Sequence, residues 1–366
     1  MSDAGFMAHA LRLARLGVNS TTPNPRVGCL LVKNGEVIGE GWHRKAGEPH
    51  AEIIALQAAG NQASGATAYV TLEPCNHHGK TPPCTEALIS AGVKRVVFGS
   101  RDPNPLVSGR GIARLEEAGI EVTGPVLEAE CAELNAGFFR RMATGLPRVR
   151  IKSAGSLDGR TAMASGESQW ITGPAARADV QRLRAESCAI VTGIGTILQD
   201  DPALTVRDES LRVDRLPLRQ PLRVVVDSRL QIPLDAKVLQ PPGRCLVATA
   251  VENPEKRQQL EEQGAEVLFL PDHAGKVDLP ALLRELGQRQ CNEVMVESGP
   301  GLVGAFLQQQ LADEVILYLA PLLLGSTAQP LATLPIDTMA GKLALAIRET
   351  RRVGDDLRLV LTILKR

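Results

Sequence analysis

Two α/β domains in tandem are what this sequence predicts, on three observations. Apolar runs of strand length alternate with amphipathic stretches of helix length along the whole chain. A Gly–Pro breaker, "ATGLPR" at 143–148, interrupts the alternation, which then starts afresh. The 366 residues suffice for two hydrophobic cores. The boundaries read from the breaker are 1–145 and 146–366.

In the first half, Phe6, Met7, Ala10, Leu11, Leu13 and Ala14 share one face of a helix rather than forming the core of a signal peptide. "RVGCLLV" (26–32) and "EVIGEGW" (36–42) flank Asn34-Gly35, a hairpin turn signal. A helical pattern over 51–63 leads to strand "ATAYVTL" (66–72), and another helix over 84–91 ends at Gly92. Strand "RVVFG" (95–99), a helix over 111–118 and strand "IEV" complete a largely parallel, helix-covered sheet. One charged amphipathic helix is predicted over 127–142.

The second half predicts strands at "RVRIKSA", "CAIVTG" (188–193), "LRVVVD" (222–227), "CLVAT" (245–249), "EVLFL" (266–270), "EVMVE" (293–297), "EVILYLA" (314–320) and "LRLVLTIL" (357–364). Helical patterns lie between most of them, and the polar stretch 207–221 reads as a long loop. The most apolar run, "VILYLAPLLLG" (315–325), is too short to span a bilayer and contains Pro321, so it reads as a buried strand.

Composition narrows the function. Lys plus Arg balance Asp plus Glu at 41 each, so no net field draws the chain to nucleic acid or an anionic membrane. Aromatics at 3% leave few platforms for stacking single-stranded bases. Seven scattered cysteines, without a signal peptide, suggest a reducing cytoplasm rather than a disulfide framework. Cys29, Cys131, Cys188, Cys245 and Cys291 mostly occupy apolar runs, as small core residues do.

The densest chemistry lies in "PHAEIIAL", "LEPC" and "TPPC". His50, Cys75 and Cys84 with a nearby Glu52 match the set that zinc-dependent nucleobase deaminases use, H-x-E followed by P-C. One imidazole and two thiolates leave the fourth tetrahedral position of zinc for water. The metal lowers the pKa of that water from about 15.7 towards about 7, a differential stabilisation of roughly 11 kcal/mol. Glu52, two residues from a ligand, is placed to shuttle the proton rather than to close the site. All three ligands stand near expected helix starts, where the local field favours thiolate. A closed structural site built from Cys75, Cys84, His77 and His78 fits finger and ribbon spacings poorly and leaves the H-x-E unexplained.

The blocks "TTPNPRVGCLLV", "GEGWHRKAGEPHAEIIAL", "ATAYVTLEPCNHHGKTPPC" and "DPNPLVSGRG" resemble the deaminase half of the RibD family, the bacterial bifunctional deaminase–reductases of riboflavin biosynthesis. The long step from Cys75 to Cys84, where other deaminases have C-x-x-C, is part of that resemblance. It implies a cytidine-deaminase-like three-layer domain acting on 2,5-diamino-6-(5-phosphoribosylamino)pyrimidin-4(3H)-one, which loses its 2-amino group as ammonia. Asn24, His43 and Lys80 fall on positions that contact this substrate. Read alone, they are a turn residue, a strand-end residue and a loop charge.

No G-x-G-x-x-G occurs in the second half. Two glycine-rich steps, "TGIGT" (192–196) and "ESGPGLVGAF" (297–306), follow strand patterns and precede helical ones, where backbone amides cradle phosphates. The second of these steps, with "KSAGSLDGRTA" (152–162), "SGESQWITG" (165–173) and "DDPALTVR" (200–207), resembles the reductase half of the same family. The resemblance implies a dihydrofolate-reductase-like fold that binds NADPH without the Rossmann fingerprint. Ala154, Trp170, Thr196, Asp200, Ser228 and the loop Gly299, Pro300, Gly301, Leu302, Val303, Gly304 and Ala305 would contact NADPH. Ser168, Arg184, Leu204, Arg207 and Glu297 would contact the phosphoribosyl substrate, with guanidinium forks suited to its phosphate. Asp158 and Lys152 would shape the cleft. The implied partners are small phosphoribosylaminopyrimidines and a second copy in a homodimer, with neither nucleic acid nor membrane.

Overall fold

A computed structural model describes residues 1–76, 83–104, 108–214 and 216–364. The chain divides into two compact units, Met1–Leu146 with Arg212–Pro217, and Pro147–Leu211 with Leu218–Arg366. Among the described residues no helix is long and apolar enough to cross a membrane.

The first unit is built on a sheet of order β2-β1-β3-β4-β5. Its strands are β1 (Gly28–Lys33), β2 (Glu36–Trp42), β3 (Thr67–Val70), β4 (Arg95–Phe98) and β5 (Glu121–Thr123). β1 runs antiparallel to β2 and β3, while β3, β4 and β5 are mutually parallel. Alternation along the strands sends Cys29, Leu31, Ala68, Val70 and Val96 to one face. That face meets α2 (Ala51–Ala59), α3 (Cys84–Ser90) and α4 (Arg110–Glu117) through Ala55, Leu88 and Leu115. Leu30, Val32, Tyr69 and Val97 point the other way, onto Phe6, Met7, Ala10 and Leu11 of α1 (Asp3–Arg15). Three layers result, as predicted.

The helix predicted over 127–142 is two helices, α5 (Glu128–Leu134) and α6 (Ala136–Thr144). They part at Asn135, whose buried amide pairs with a backbone elsewhere. It accepts from the Arg26 N–H at 2.8 Å and donates to the Arg26 carbonyl at 2.9 Å.

The second unit is a sheet of order β11-β10-β9-β8-β12-β6-β13-β16-β15. β6 (Arg148–Ser156), β8 (Ala189–Gly193), β9 (Leu222–Val226), β10 (Cys245–Thr249), β11 (Ala265–Phe269), β12 (Glu293–Val296) and β13 (Glu314–Ala320) are parallel. β16 (Asp356–Ile363) and β15 (Leu345–Val353) close the edge antiparallel. A small ribbon pairs β7 (Arg160–Ala162) with β14 (Gln329–Pro330). The helices are α7 (Pro174–Glu186), α8 (Ile194–Asp200), α9 (Pro254–Glu262), α10 (Leu279–Gln288) and α11 (Pro300–Gln308). Ile190, Val225, Val247, Met295 and Ile316 lie in the core, with Val180, Leu183 and Leu260 of the helices packed on them.

Every strand expected in this half is present. β15 was not expected, because "LAIRETRRV" is mostly exposed and mixes charge with apolar residues, as an edge strand does. The apolar run 315–325 is strand only as far as Ala320, and Leu323 beyond it is 72% exposed. From β8 the order continues outward through β9, β10 and β11, whereas β12 inserts between β8 and β6. Such a reversal opens a crevice at the carboxyl ends of the strands, where ligands bind in sheets of this kind.

Candidate active sites

Two helix starts and one loop build the first site. His50 is the N-cap residue of α2 and Glu52 lies in its first turn. Cys84 opens α3, and Cys75 leaves the loop after β3 with its sulfur receiving the Cys84 N–H at 3.5 Å. α2 is laid tightly on β2, since a Cβ on Gly41 would come within 2.2 Å of the Ala51 carbonyl oxygen. Glycine there lets the start of α2, with its histidine, approach the sheet.

His50 Nδ1 lies 3.2 Å from Cys84 Sγ and 3.6 Å from Cys75 Sγ. One ligand atom from each of the three falls within 4.8 Å of the others. Tetrahedral zinc, with bonds near 2.0 Å to nitrogen and 2.3 Å to sulfur, asks for edges of about 3.5 to 3.8 Å. One nitrogen and two sulfurs at these distances fit that ion. A hydrogen bond between the two thiols, helped by His50, pulls Cys75 down to about 4 and pushes Cys84 up. Glu52 is buried, and desolvation, reinforced by the charge on Cys75, raises its carboxyl above the usual range. A carboxyl so placed holds a proton more readily than one in water.

His43 packs edge-on against His50, ring centroids 5.2 Å apart. Burial lowers its pKa, keeping the imidazole neutral. With Nδ1 donating to the Pro49 carbonyl at 3.1 Å, Nε2 accepts from the Asn24 amide at 3.0 Å. Both ring nitrogens are therefore engaged within the protein, and His43 sets the orientation of Asn24. His77, His78 and Lys80 lie outside the described residues.

The second site gathers at the carboxyl ends of β8, β12 and β6. Both glycine-rich steps are strand-to-helix turns, as expected, Gly193 preceding α8 and Gly299 preceding α11. They are tied to each other. Gly193 N–H donates to Ser298 Oγ at 3.1 Å and Gly299 N–H to Thr196 Oγ1 at 3.2 Å. Glu297 follows β12 and meets the Arg184 guanidinium through both oxygens, at 3.0 and 2.7 Å, with Lys152 Nζ at 3.7 Å. Burial alone would raise its carboxyl, but Arg184 and Lys152 hold it down at about 2. Ser168 Oγ donates to Asp200 at 3.3 Å. Trp170 is 69% exposed under the Arg177 guanidinium, and Arg207 is exposed.

Residues 1–100 match the cytidine and deoxycytidylate deaminase zinc-binding region, and residues 147–359 match the RibD C-terminal domain. The riboflavin biosynthesis protein RibD of Escherichia coli (strain K12) is 51% identical over 364 residues, 98% of each chain. The chain belongs to the RibD family.

The RibD of Haemophilus influenzae is 46% identical over 367 residues. Among solved structures, a crystal form of Acinetobacter baumannii RibD aligns over 99% of both chains with a TM-score of 0.91 at 47% identity. A diaminohydroxyphosphoribosylaminopyrimidine deaminase/5-amino-6-(5-phosphoribosylamino)uracil reductase from Thermotoga maritima also aligns over 99% of both chains, with a TM-score of 0.87 at 32% identity. As a member of that family, the protein is a bifunctional deaminase and reductase of riboflavin biosynthesis. Its first unit is a zinc-binding, cytidine-deaminase-like domain and its second a reductase domain of the NADPH-using RibD type.

The structure brings His50, Glu52, Cys75, Cys84, His43 and Asn24 together, and joins Thr196 to Gly299 while Glu297 meets Arg184. Ala154 in β6, Ser228 after β9, Leu204 and the α11 residues Pro300, Gly301, Leu302 and Ala305 stand in the same unit, while Val303 and Gly304 are buried. Arg184 makes a third guanidinium contact, to the Thr205 carbonyl at 3.2 Å. Sequence reasoning missed Ser298, whose hydroxyl joins the glycine steps. Its place inside "ESGPG" was the one available signal.

Proposed function

We propose that the first unit hydrolytically deaminates 2,5-diamino-6-(5-phosphoribosylamino)pyrimidin-4(3H)-one to 5-amino-6-(5-phosphoribosylamino)uracil. The second unit then reduces the ribosyl group to the ribitylamino product. The observation that carries this reading is the convergence of His50, Cys75 and Cys84 beside a buried Glu52.

His50 Nδ1, Cys75 Sγ and Cys84 Sγ would hold zinc. Bound there, zinc makes a water molecule acidic near neutral pH. Glu52 would take a proton from the water on its carboxylate as the water oxygen bonds C2 of the pyrimidine, and pass it to the 2-amino nitrogen, so that the C2–N bond breaks and ammonia leaves. Asn24, held by His43, orients the ring, and Lys80 contacts the same substrate. Neutral His43 adds no charge to the pocket.

In the second unit, bound NADPH would supply the hydride to C1′ of the ribose in its ring-opened imine form, the C1′–O4′ bond having opened and a proton joining the imine nitrogen. The protein's work is alignment. The glycine steps, with Ala154, Trp170, Thr196, Asp200, Ser228 and Gly299 to Ala305, hold the cofactor. Glu297, ionised between Arg184 and Lys152, still has lone pairs to accept the N–H groups of the uracil edge. Ser168, Arg184, Leu204 and the exposed Arg207 contact the phosphoribosyl substrate, and Arg184 also fixes Glu297. A homodimer, a cytoplasmic site of action and small-molecule partners alone complete the reading. Analytical ultracentrifugation tests the assembly.

NADPH consumption by wild type and Glu52→Ala, each given the diaminopyrimidinone ribosyl phosphate, tests the order of steps. The expected result is consumption by wild type only, restored in Glu52→Ala by the already deaminated pyrimidine. Equal consumption by both would remove Glu52 from the mechanism.

A further inference from the structure

Glu73, two residues before Cys75, is 3% exposed and accepts four backbone N–H groups from another part of the chain. Oε2 accepts from Asp102 at 3.3 Å and Gly109 at 3.1 Å, and Oε1 from Gly111 at 3.1 Å and Ile112 at 3.4 Å. Gly109 is the N-cap residue of α4, left-handed with φ 77°, and has no side chain to cap the helix. Glu73 performs that task from 36 residues away, with its negative charge at the positive end of the helix. A carboxylate suits four donors, since an amide of the same shape has one oxygen and presents N–H groups of its own.

The residues that follow are clamped as well. α4 presses on Pro74 so closely that a Cβ on Gly111 would stand 2.0 Å from the Pro74 carbonyl oxygen. On the far side of Cys75, Asn76 donates to the Arg110 carbonyl at 3.4 Å and accepts from Thr85 Oγ1 at 2.8 Å. Thr85 N–H reaches back to the Cys75 carbonyl at 3.3 Å. The Cys75 turn is thus gripped by the start of α4 on both flanks and by the start of α3, which carries Cys84.

We propose that Glu73 is a positioning residue of the deaminase site, pinning the Cys75 turn to α4 so that the Cys75 sulfur stands in register with His50 and Cys84. The proposal rests on the reading of Cys75 as a zinc ligand. Among the described residues Glu73 bonds to backbone N–H groups and not to the sulfur or imidazole ligand atoms, so it acts through the backbone it holds. Groups that orient a ligand from behind commonly change metal affinity or activity by about 10–100-fold when removed.

The test uses the full-length enzyme and Glu73→Gln, with Gly111→Ala as an independent way of lifting α4 from Pro74. Zinc affinity is measured by competition with a chromophoric chelator, and the cobalt(II)-substituted proteins are compared by their thiolate-to-metal absorption. The values of kcat and KM for ammonia release are compared with NADPH oxidation on the deaminated pyrimidine. Both variants are expected to lose zinc about 10–100-fold more readily. They are also expected to show an altered cobalt spectrum and a lowered kcat at nearly constant KM, with reduction unchanged. Wild-type zinc affinity, cobalt spectrum and kcat in both variants would overturn the proposal. So would a lowered melting temperature in which the folded fraction still binds zinc and turns over normally, since Glu73 would then serve folding alone. Failure of Cys75→Ala to release zinc is a separate result: it would strike the reading of the site itself, and this proposal with it.

Discussion

At the scale of single residues, the two sites handle charge in opposite ways. Glu52 is buried, and desolvation reinforced by the charge on Cys75 outweighs the pull of His50, so its carboxyl is raised. Glu297 is largely buried between two cations, which hold it at about 2. A carboxyl lowered in the folded state contributes stability that is complete above its ordinary value of about 4.5 and is lost as pH falls towards about 2. Arg184→Met reverses the sign, because it leaves a buried carboxylate short of its main partner at a cost of about 3–5 kcal/mol. The variant's stability deficit is expected to be greatest near pH 7 and to shrink as acid protonates Glu297. Thermal unfolding of both proteins across pH 4–8 measures this, and a deficit independent of pH would refute the pairing argument. At this scale much of the site was legible. His50, Glu52, Cys75 and Cys84 were named from residue type and spacing alone. The commitment of Arg184 to Glu297 was not, since a helix arginine looks the same in sequence whether it meets phosphate or carboxylate.

At the scale of elements, strand and helix periodicity placed nearly every segment, because burial on one face imposes a period that sequence displays. The break at Asn135 is the exception that explains the rule. Residues 127–142 carry a continuous helical pattern, yet the Asn135 side chain leaves it to bond both polar groups of Arg26. Asn135→Ala is expected to destabilise the first unit by about 1–3 kcal/mol, through stranding those groups. Denaturant unfolding read by loss of deaminase activity checks it, and NADPH oxidation on the deaminated pyrimidine should not change. No measurable loss would mean that solvent replaces the Asn135 amide. β15 went unread for a related reason, as an exposed edge strand lacks the buried face that gives a strand its alternation.

At the scale of the whole molecule, one chain carries two chemistries on two separately built cores. Stripping zinc with a strong chelator is expected to abolish ammonia release and to spare reduction of the deaminated pyrimidine, with added zinc restoring the first activity. Loss of both activities would mean that the reductase unit depends on the metal of the first. The sequence by itself determined the α/β class, the candidate set His50, Glu52, Cys75 and Cys84, the two glycine steps and the family resemblance, because these are local: they depend on residue type and short spacing. Only the tertiary structure decided which polar groups hold those residues in place. Arg184 meets Glu297 across 113 positions, Asn135 meets Arg26 across 109, and Glu73 meets the start of α4 across 36. Such pairings have no period and no fixed spacing. They form because folding buries each group beside whichever partner can replace its lost water, and that choice exists only in three dimensions.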